Sequence, residues 1–269
     1  MSSLSISIVL YKTDLRILTA CLSHYYKAFS KLPCEVTVEL LLVNNSHHID
    51  GDVIKRHLLA DQNAPYPITY IAAPKNGGYG YGHNLAIMHS QATYHIVSNA
   101  DIYIDEQALN NAYAYLETHP DVGLLSPDVY DMDNHRCYLC KQEPSFLIAA
   151  LRRLPHCLKN RWADRRLARF ENQHLDYDHV ISDYSFPTGC WMFFRMETLK
   201  ALHGFDEGYF LYCEDADIGR RLKAIATMVY VPTVKCHHEW QRASAHSIPL
   251  LLTHIRSTWR YTRKFRKKT

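Results

Sequence analysis

No apolar run in the 269-residue chain approaches the roughly 20 residues that span a bilayer, and the opening Met1-Ser2-Ser3-Leu4 lacks the basic flank and apolar stretch of a secretory signal. Both absences set the expectation of a cytoplasmic protein. In that compartment the eight cysteines are expected as reduced thiols rather than a disulfide framework. Low-complexity tracts, internal repeats and linkers are also missing, so a single domain is expected, and 47% hydrophobic with 12% aromatic residues suffices for its core.

Acidic residues are nearly missing from two segments. Seven Lys/Arg stand against one Asp in 152–169 and against none in 253–269, although the net charge is only +3, so the remainder is acidic. Tyr and Phe are not interleaved with the terminal cations as stacking platforms, which speaks against nucleic acid. Phe146, Leu147, Ala150, Leu151 and Leu154 form an apolar stripe beside Arg152 and Arg153, while Ile255, Trp259 and Phe265 interrupt the tail. Cations beside apolar and aromatic residues suit an anionic bilayer surface. A solvated helix with a disordered tail is the plainer alternative.

Along the chain, 5–11 alternates like a strand, and Thr13 or Asp14 can cap a helix carrying Leu15, Leu18, Leu22, Tyr25, Tyr26 and Phe29 on one stripe. A buried strand is expected at 36–43, a helix at 53–59, a strand at 68–72, a helix at 84–92, a strand at 95–98 and a helix at 105–118. Repeated βα units of this length imply an α/β fold: a doubly wound, mostly parallel sheet with its crevice at the carboxyl ends of the strands. Beyond them, 123–126 and 228–231 read as short strands, 141–178 as helical and basic, and 191–194 as an apolar strand.

Polar strand ends collect at that crevice: Tyr11 to Asp14, Asn44-Asn45-Ser46, and Asn99-Ala100-Asp101. The glycine-rich loop Asn76-Gly77-Gly78-Tyr79-Gly80-Tyr81-Gly82-His83-Asn84 runs into a helix, where backbone N–H groups can approach phosphate. It is not the dinucleotide fingerprint, which would follow the first strand rather than the third. Asp101 can coordinate a hard divalent cation completed by diphosphate and water, or it can shape a turn. Near 204–221 five carboxylates, Asp206, Glu207, Glu214, Asp215 and Asp217, fall within twelve residues, and Glu214 and Asp215 sit at a helix N-terminus, whose dipole favours their charged form. A carboxylate there suits general-base catalysis; a capped, solvated surface helix is the alternative.

These pieces together resemble the family 2 glycosyltransferases of the GT-A fold, within them the bacterial rhamnosyltransferase-like group. The resemblance runs from Ile6 to about Lys264 and rests on Ile8 to Tyr11, Leu42 to Ser46, Asn76 to Asn84, Asn99 to Asp101, Gly204-Phe205-Asp206-Glu207, Tyr212 to Asp217 and His238 to Ser244, in family order. It implies a nucleotide-binding half at 1–104 and an acceptor and catalytic half at 105–269. By position, Asp215 is implied as the catalytic base, and Asp101 with His238 as ligands of Mg2+ or Mn2+. Tyr11, Asn44, Asn45, Ser46, Asn76, Gly77, Gly80, Asn84, Asn99, Arg242 and Ser244 are implied on the donor side, with Glu214 and Trp191 on the acceptor side.

The implied reaction is inverting transfer of a sugar from a nucleotide diphosphate, with dTDP-L-rhamnose preferred and a UDP-sugar second, to a hydroxyl of a glycan or lipid-linked glycan. The protein would then sit peripherally on the inner face of the cytoplasmic membrane. Two positions depart from the family pattern: Asn44 stands where an Asp usually meets the base, and Asn99 replaces the first Asp of the metal motif. A rival of another class is a structural zinc site, because Cys137 and Cys140 have ligand spacing and Cys236-His237-His238 offers further ligands.

Overall fold

The computed structural model describes residues 2–46, 52–54, 56, 66–154, 160–182, 184–240 and 248–266. The strands are β1 (Ser3–Leu10), β2 (Thr37–Asn44), β3 (Ile68–Ala72), β4 (Tyr94–Ser98), β5 (Ile102–Ile104), β6 (Val122–Tyr130), β7 (Arg136–Cys137), β8 (Trp191–Arg195) and β9 (Thr227–His238). They form one sheet in the order β3-β2-β1-β4-β8-β6-β9-β5, with β7 added to β6.

β1 shows how the pattern sets the layers. Leu4, Ile6, Ile8 and Leu10 are buried in the larger core cluster together with Leu18, Leu22, Tyr25 and Phe29 of the helix Leu15–Phe29. Asp14 caps that helix by accepting from the Arg16 N–H. Ser5 and Ser7 point to the opposite side of the strand. There Ser5 bonds His95 at 2.7 Å, and Ser7 bonds His95 at 2.9 Å and His83 at 2.7 Å. Burial lowers both imidazole pKa values, that of His95 to about 3, so these are neutral core histidines.

β1 to β4 are mutually parallel, and register sets their polar ends side by side: Leu10 opposite Asn44, and Ile8 opposite Ser98. β8 then enters antiparallel, with Trp191 opposite Ser98, which delivers Gly189 and Cys190 to the carboxyl end of β4. β9 runs parallel to β6 and antiparallel to β5, with His238 opposite Ile102. β9 continues well past Pro232, where the sequence suggests a stop. The register shifts there, with Pro127 opposite Val231 but Asp128 opposite Lys235, and this bulge accommodates the missing N–H of proline.

Other boundaries differ for local reasons. The expected helix at 84–92 begins earlier, as Tyr79–His89, and takes in Gly80 and Gly82. A Cβ at Gly82 would meet Val9 at 2.7 Å and one at Gly80 would meet Phe205 at 2.7 Å, so these glycines allow close packing. The 141–178 stretch contains two short helices, Phe146–Arg153 and Arg161–Phe170, capped by Ser145 and Asn160. The helix expected at 53–59 lies largely outside the described residues. Among the described residues no helix is long and apolar enough to cross a membrane.

The basic C-terminal segment is mostly the helix Ile248–Phe265, and it is anchored rather than free. Arg260 and Lys264 bond Asp206 at 2.8 Å and 2.7 Å, and Lys264 also bonds Asp217 at 2.6 Å. Burial raises the Asp206 carboxyl, but Lys264, the Gly208 N–H and Arg260 outweigh it and hold the pKa down to about 2.

Candidate active site

At the ends of β1 and β4, Val9, Tyr11, Thr13, Ile17, Tyr79, Asn99, Ala100 and Asp101 line a groove. β5 and β9 bring His238 beside it, with Nε2 3.1 Å from Asp101 Oδ1. Two ligands of one octahedral cation at about 2.1 Å stand roughly 3 Å apart, so this carboxylate and imidazole fit as a partial divalent-cation site. His238 Nδ1 is buried without a hydrogen-bond partner. Asp131, Asp133 and His135 are the group of three or more potential ligands that converges among the described residues. Two of the three are exposed, and the Asp131 carboxylate already accepts from the Asp133 and His135 N–H groups in a turn. Cys137, Cys140, Cys236 and the following histidines do not converge in this way, which removes the structural zinc reading. Cys137, Cys140 and Cys236 are free thiols.

On the other side of Tyr79 lies the acidic pair. The chain passes through Tyr212 (φ 69°) and Cys213 (φ 66°), two left-handed non-glycine residues, before entering the helix Glu214–Leu222. Such strain persists where packing enforces it and clusters at functional sites. Asp215 Oδ2 accepts from the Gly189 N–H at 3.1 Å and Oδ1 from the Ala216 N–H at 2.8 Å. Glu214 is buried, with Oε2 unpartnered. Burial, then the charge of Asp215, pushes the Glu214 pKa up to about 8. Burial also raises the Asp215 pKa, but Lys141 and the two N–H donors oppose it. Asp215 is therefore the member that carries charge, and Glu214 the member that holds a proton.

The donor-side residues divide into three groups. Tyr11 and Asn99 line the groove. Asn45 donates to the Gly78 carbonyl at 2.8 Å, while its Oδ1 and the Ser46 hydroxyl are buried without partners, two acceptors available to a ligand. Asn44 accepts from the Ser46 N–H at 2.9 Å and donates to the Tyr70 hydroxyl at 3.0 Å.

Two N–H groups of the glycine loop are already used within the protein. The Gly78 N–H is taken by Asn76 Oδ1 at 3.2 Å, and the Tyr79 N–H by the Phe210 carbonyl at 3.0 Å. Gly78, at φ 96°, has the Phe210 carbonyl 2.0 Å from where a Cβ would sit, so the loop is built for close backbone approach. Gly77 packs beneath Tyr81 and Gly80 against Phe205. Asn84 is a clamp rather than a donor contact: it receives the Phe205 N–H at 2.9 Å and donates to the Phe205 carbonyl and Glu207, each at 2.9 Å. Trp191 is likewise corrected. It is fully buried and donates to the Tyr25 hydroxyl at 3.0 Å, which makes it a core residue with no surface for an acceptor. Arg242 and Ser244 lie outside the described residues.

Two residues inside motifs visible in the sequence went unassigned there. The Tyr79 hydroxyl donates to the Gly189 carbonyl. A Cβ on Gly189 would stand 3.6 Å from both Asp215 Oδ2 and Tyr79 Cε1. Gly189 thus joins the groove to the carboxylate, and the turn-forming Pro187-Thr188-Gly189-Cys190 just ahead of the apolar strand at 191–194 is the sequence signal that could have found it.

A family model described as glycosyl transferase family 2 matches residues 15–199. The N-acetylglucosaminyl-diphospho-decaprenol L-rhamnosyltransferase of Mycobacterium tuberculosis (strain CDC 1551 / Oshkosh) is 26% identical over 168 residues, 61% of this chain and 53% of that protein. Rhamnosyltransferase WbbL of Escherichia coli (strain K12) is 31% identical over 87 residues, 32% of each chain. The chain thus spans about half the length, or less, of the curated relatives it matches. Among solved structures, S. aureus TarS 1-349 in complex with UDP-GlcNAc superposes with a TM-score of 0.61 at 16% identity, covering 90% of this chain and 60% of that one. The mannosyltransferase PcManGT from Pyrobaculum calidifontis, in complex with GDP-Man and Mn2+, gives 0.57 at 15% identity, covering 89% and 58%. At these identities the structural likeness speaks for the fold, which is that of the GT-A glycosyltransferases.

Proposed function

The chain belongs to glycosyl transferase family 2, and we propose that it is an inverting rhamnosyltransferase carrying L-rhamnose from dTDP-L-rhamnose to a hydroxyl of a lipid-linked bacterial cell-surface glycan. The names of the two curated relatives support the sugar, and the mycobacterial name supports the lipid-linked acceptor. The carrying observation is the Asp215 carboxylate, held by the Gly189 and Ala216 N–H groups one contact away from the groove.

In this reading 1–104 holds the nucleotide and 105–269 the acceptor and catalytic groups. Tyr11, Asn45, Ser46 and Asn99 orient the nucleotide. Asp215 takes the proton of the acceptor hydroxyl as that oxygen attacks the anomeric carbon opposite the departing diphosphate, so one displacement inverts the configuration. Protonated Glu214 donates a hydrogen bond to the acceptor. Asp101 and His238 would hold Mg2+ or Mn2+, which when bound neutralises charge developing on the diphosphate. A UDP-sugar is the second reading, favoured by the UDP-GlcNAc complex of TarS.

Peripheral docking on the anionic inner face of the cytoplasmic membrane completes the proposal. Ile248, Leu252, Ile255 and Trp259 are all exposed on the C-terminal helix, at spacings of three and four that form one stripe. Phe146, Leu147 and Trp162 are exposed on the adjoining helices. Incubation with a panel of nucleotide sugars tests the donor. Slow metal-dependent hydrolysis of dTDP-L-rhamnose supports the reading, and selective hydrolysis of a UDP-sugar replaces it with the second.

A further inference from the structure

Beside the acidic pair is a cavity of about 120 Å3 whose walls include Glu214, Asp215, Lys141, Arg152 and His254. Lys141 is only 6% exposed. Its backbone is fixed by a bridge to Phe186, with Ser185 and Phe186 both donating to its carbonyl. Among the described residues neither Lys141 nor Arg152 forms a hydrogen bond or ion pair through its side chain. A buried ammonium without a direct counter-ion is costly and is retained where something compensates it. Burial and then Arg152 lower the Lys141 pKa to about 8. Burial, Arg153 and Arg152 lower that of His254 to about 4. Two cations and a neutral imidazole therefore share a cavity with one ionised carboxylate.

We propose that Lys141, Arg152 and His254 form a subsite for the phosphate-class anion of the acceptor, holding it beside Asp215. This rests on the functional reading above, in which the acceptor is lipid-linked, and it names the chemistry of the link as phosphate or diphosphate. Phosphate could also come from bilayer lipid, but Lys141 lies too deep to meet a flat headgroup layer, so the anion enters as part of the acceptor. Arg152 supplies a planar fork of donors and Lys141 a compact charge, the pair that phosphate recognition commonly uses. The subsite also accounts for the position of the apolar stripe. Arg152 and His254 are carried by two of the helices that expose apolar side chains, so a lipid tail leaving the cavity meets the face proposed to dock on the membrane.

The test is calorimetric titration of farnesyl diphosphate and farnesol into the full chain, with the donor site filled by the nucleoside diphosphate selected in the hydrolysis panel. Farnesyl diphosphate is expected to bind at least tenfold more tightly than farnesol, and Arg152→Gln to weaken its binding about tenfold, or 1.4 kcal/mol. Lys141→Met is expected to do the same if its melting curve shows a folded protein; if not, Lys141→Arg, which keeps the charge, is expected to retain binding. Equal affinity for farnesol, or unchanged farnesyl diphosphate binding in Arg152→Gln, overturns the subsite. So does an Arg152→Gln protein that no longer binds phosphatidylglycerol vesicles but keeps farnesyl diphosphate, since the cation would then serve the bilayer. Diphosphate binding by a protein that transfers no sugar would break the functional reading and leave the subsite standing. Transfer unaffected by Arg152→Gln would do the reverse.

Discussion

Lys264 closes a 2.6 Å ion pair with Asp217, a carboxylate with no solvent exposure two residues beyond Asp215 on the same helix. The C-terminal helix is thereby coupled to the segment carrying the acidic pair. Lys264→Gln leaves Asp217 with Arg221 at 2.6 Å, so the expected cost is about 2 kcal/mol rather than the loss of an unpaired buried charge. A thermal melt should show a drop of about 4–8 °C, and an unchanged melting temperature would contradict the coupling.

Asp215→Asn should lower transfer by about 10²- to 10⁴-fold while nucleotide affinity stays within a few-fold, since the amide keeps the shape and loses the base. Glu214→Gln should cost much less, because it replaces a carboxyl that already holds its proton. A larger loss in Glu214→Gln, measured as kcat in the same assay, would exchange the two roles.

The raised Glu214 pKa also predicts a pH dependence of stability. A carboxyl titrating near 4.5 when unfolded and near 8 when folded binds its proton more tightly in the native state. Its stabilising contribution is complete below pH 4.5 and is lost as pH rises through about 8. Glu214→Gln removes that loss, so the variant should gain on wild type by several degrees in melting temperature between pH 5 and pH 8.5. A constant difference across that range would refute the assignment.

Chelator should abolish transfer, and Asp101→Ala should raise the Mn2+ concentration giving half-maximal rate at least tenfold or remove activity. His238→Ala should give a milder shift, having removed a neutral ligand. Full turnover in excess chelator would show that the pair binds no cation needed for catalysis.

Membrane docking is best tested by substitution. Deleting the chain beyond Thr253 would remove both cations paired with Asp206 and one of the two paired with Asp217, and damage the fold. Leu252→Ser, Ile255→Ser and Trp259→Ser together change exposed side chains only. The triple variant should lose salt-sensitive sedimentation with anionic vesicles and keep activity on a soluble acceptor analogue. Equal binding by wild type to neutral and anionic vesicles would remove the electrostatic part.

The parallel half of the sheet was legible because each strand and helix carries its own periodicity, as β1 and the helix Leu15–Phe29 show. Asp101 beside His238 and Glu214 beside Asp215 were also legible, through short motifs. What escaped depends on which way a side chain faces. Trp191 lies in an apolar strand whose two faces are both buried, and nothing local tells core from acceptor surface. Asn84, Gly78 and Gly80 sit in a motif compatible with phosphate binding, yet their partners are Phe205, Glu207 and Phe210, more than a hundred residues away. Lys141 sits in a stretch that reads as basic helix, and the bridge to Phe186 that places it among buried residues is a non-local pairing.

The cation pair has a kinetic consequence through β9. Asp101 and His238 are 137 residues apart in sequence, and they meet only after β9 has been laid between β6 and β5 across the bulge at Pro232. Closing so long a loop is among the slower events in forming a sheet. During refolding, parallel strands with local connections can form before Asp101 and His238 are brought together. Recovery of far-ultraviolet dichroism should therefore precede recovery of the Mn2+ binding proposed for this pair, and a nascent chain would carry the paired parallel strands before the two side chains met.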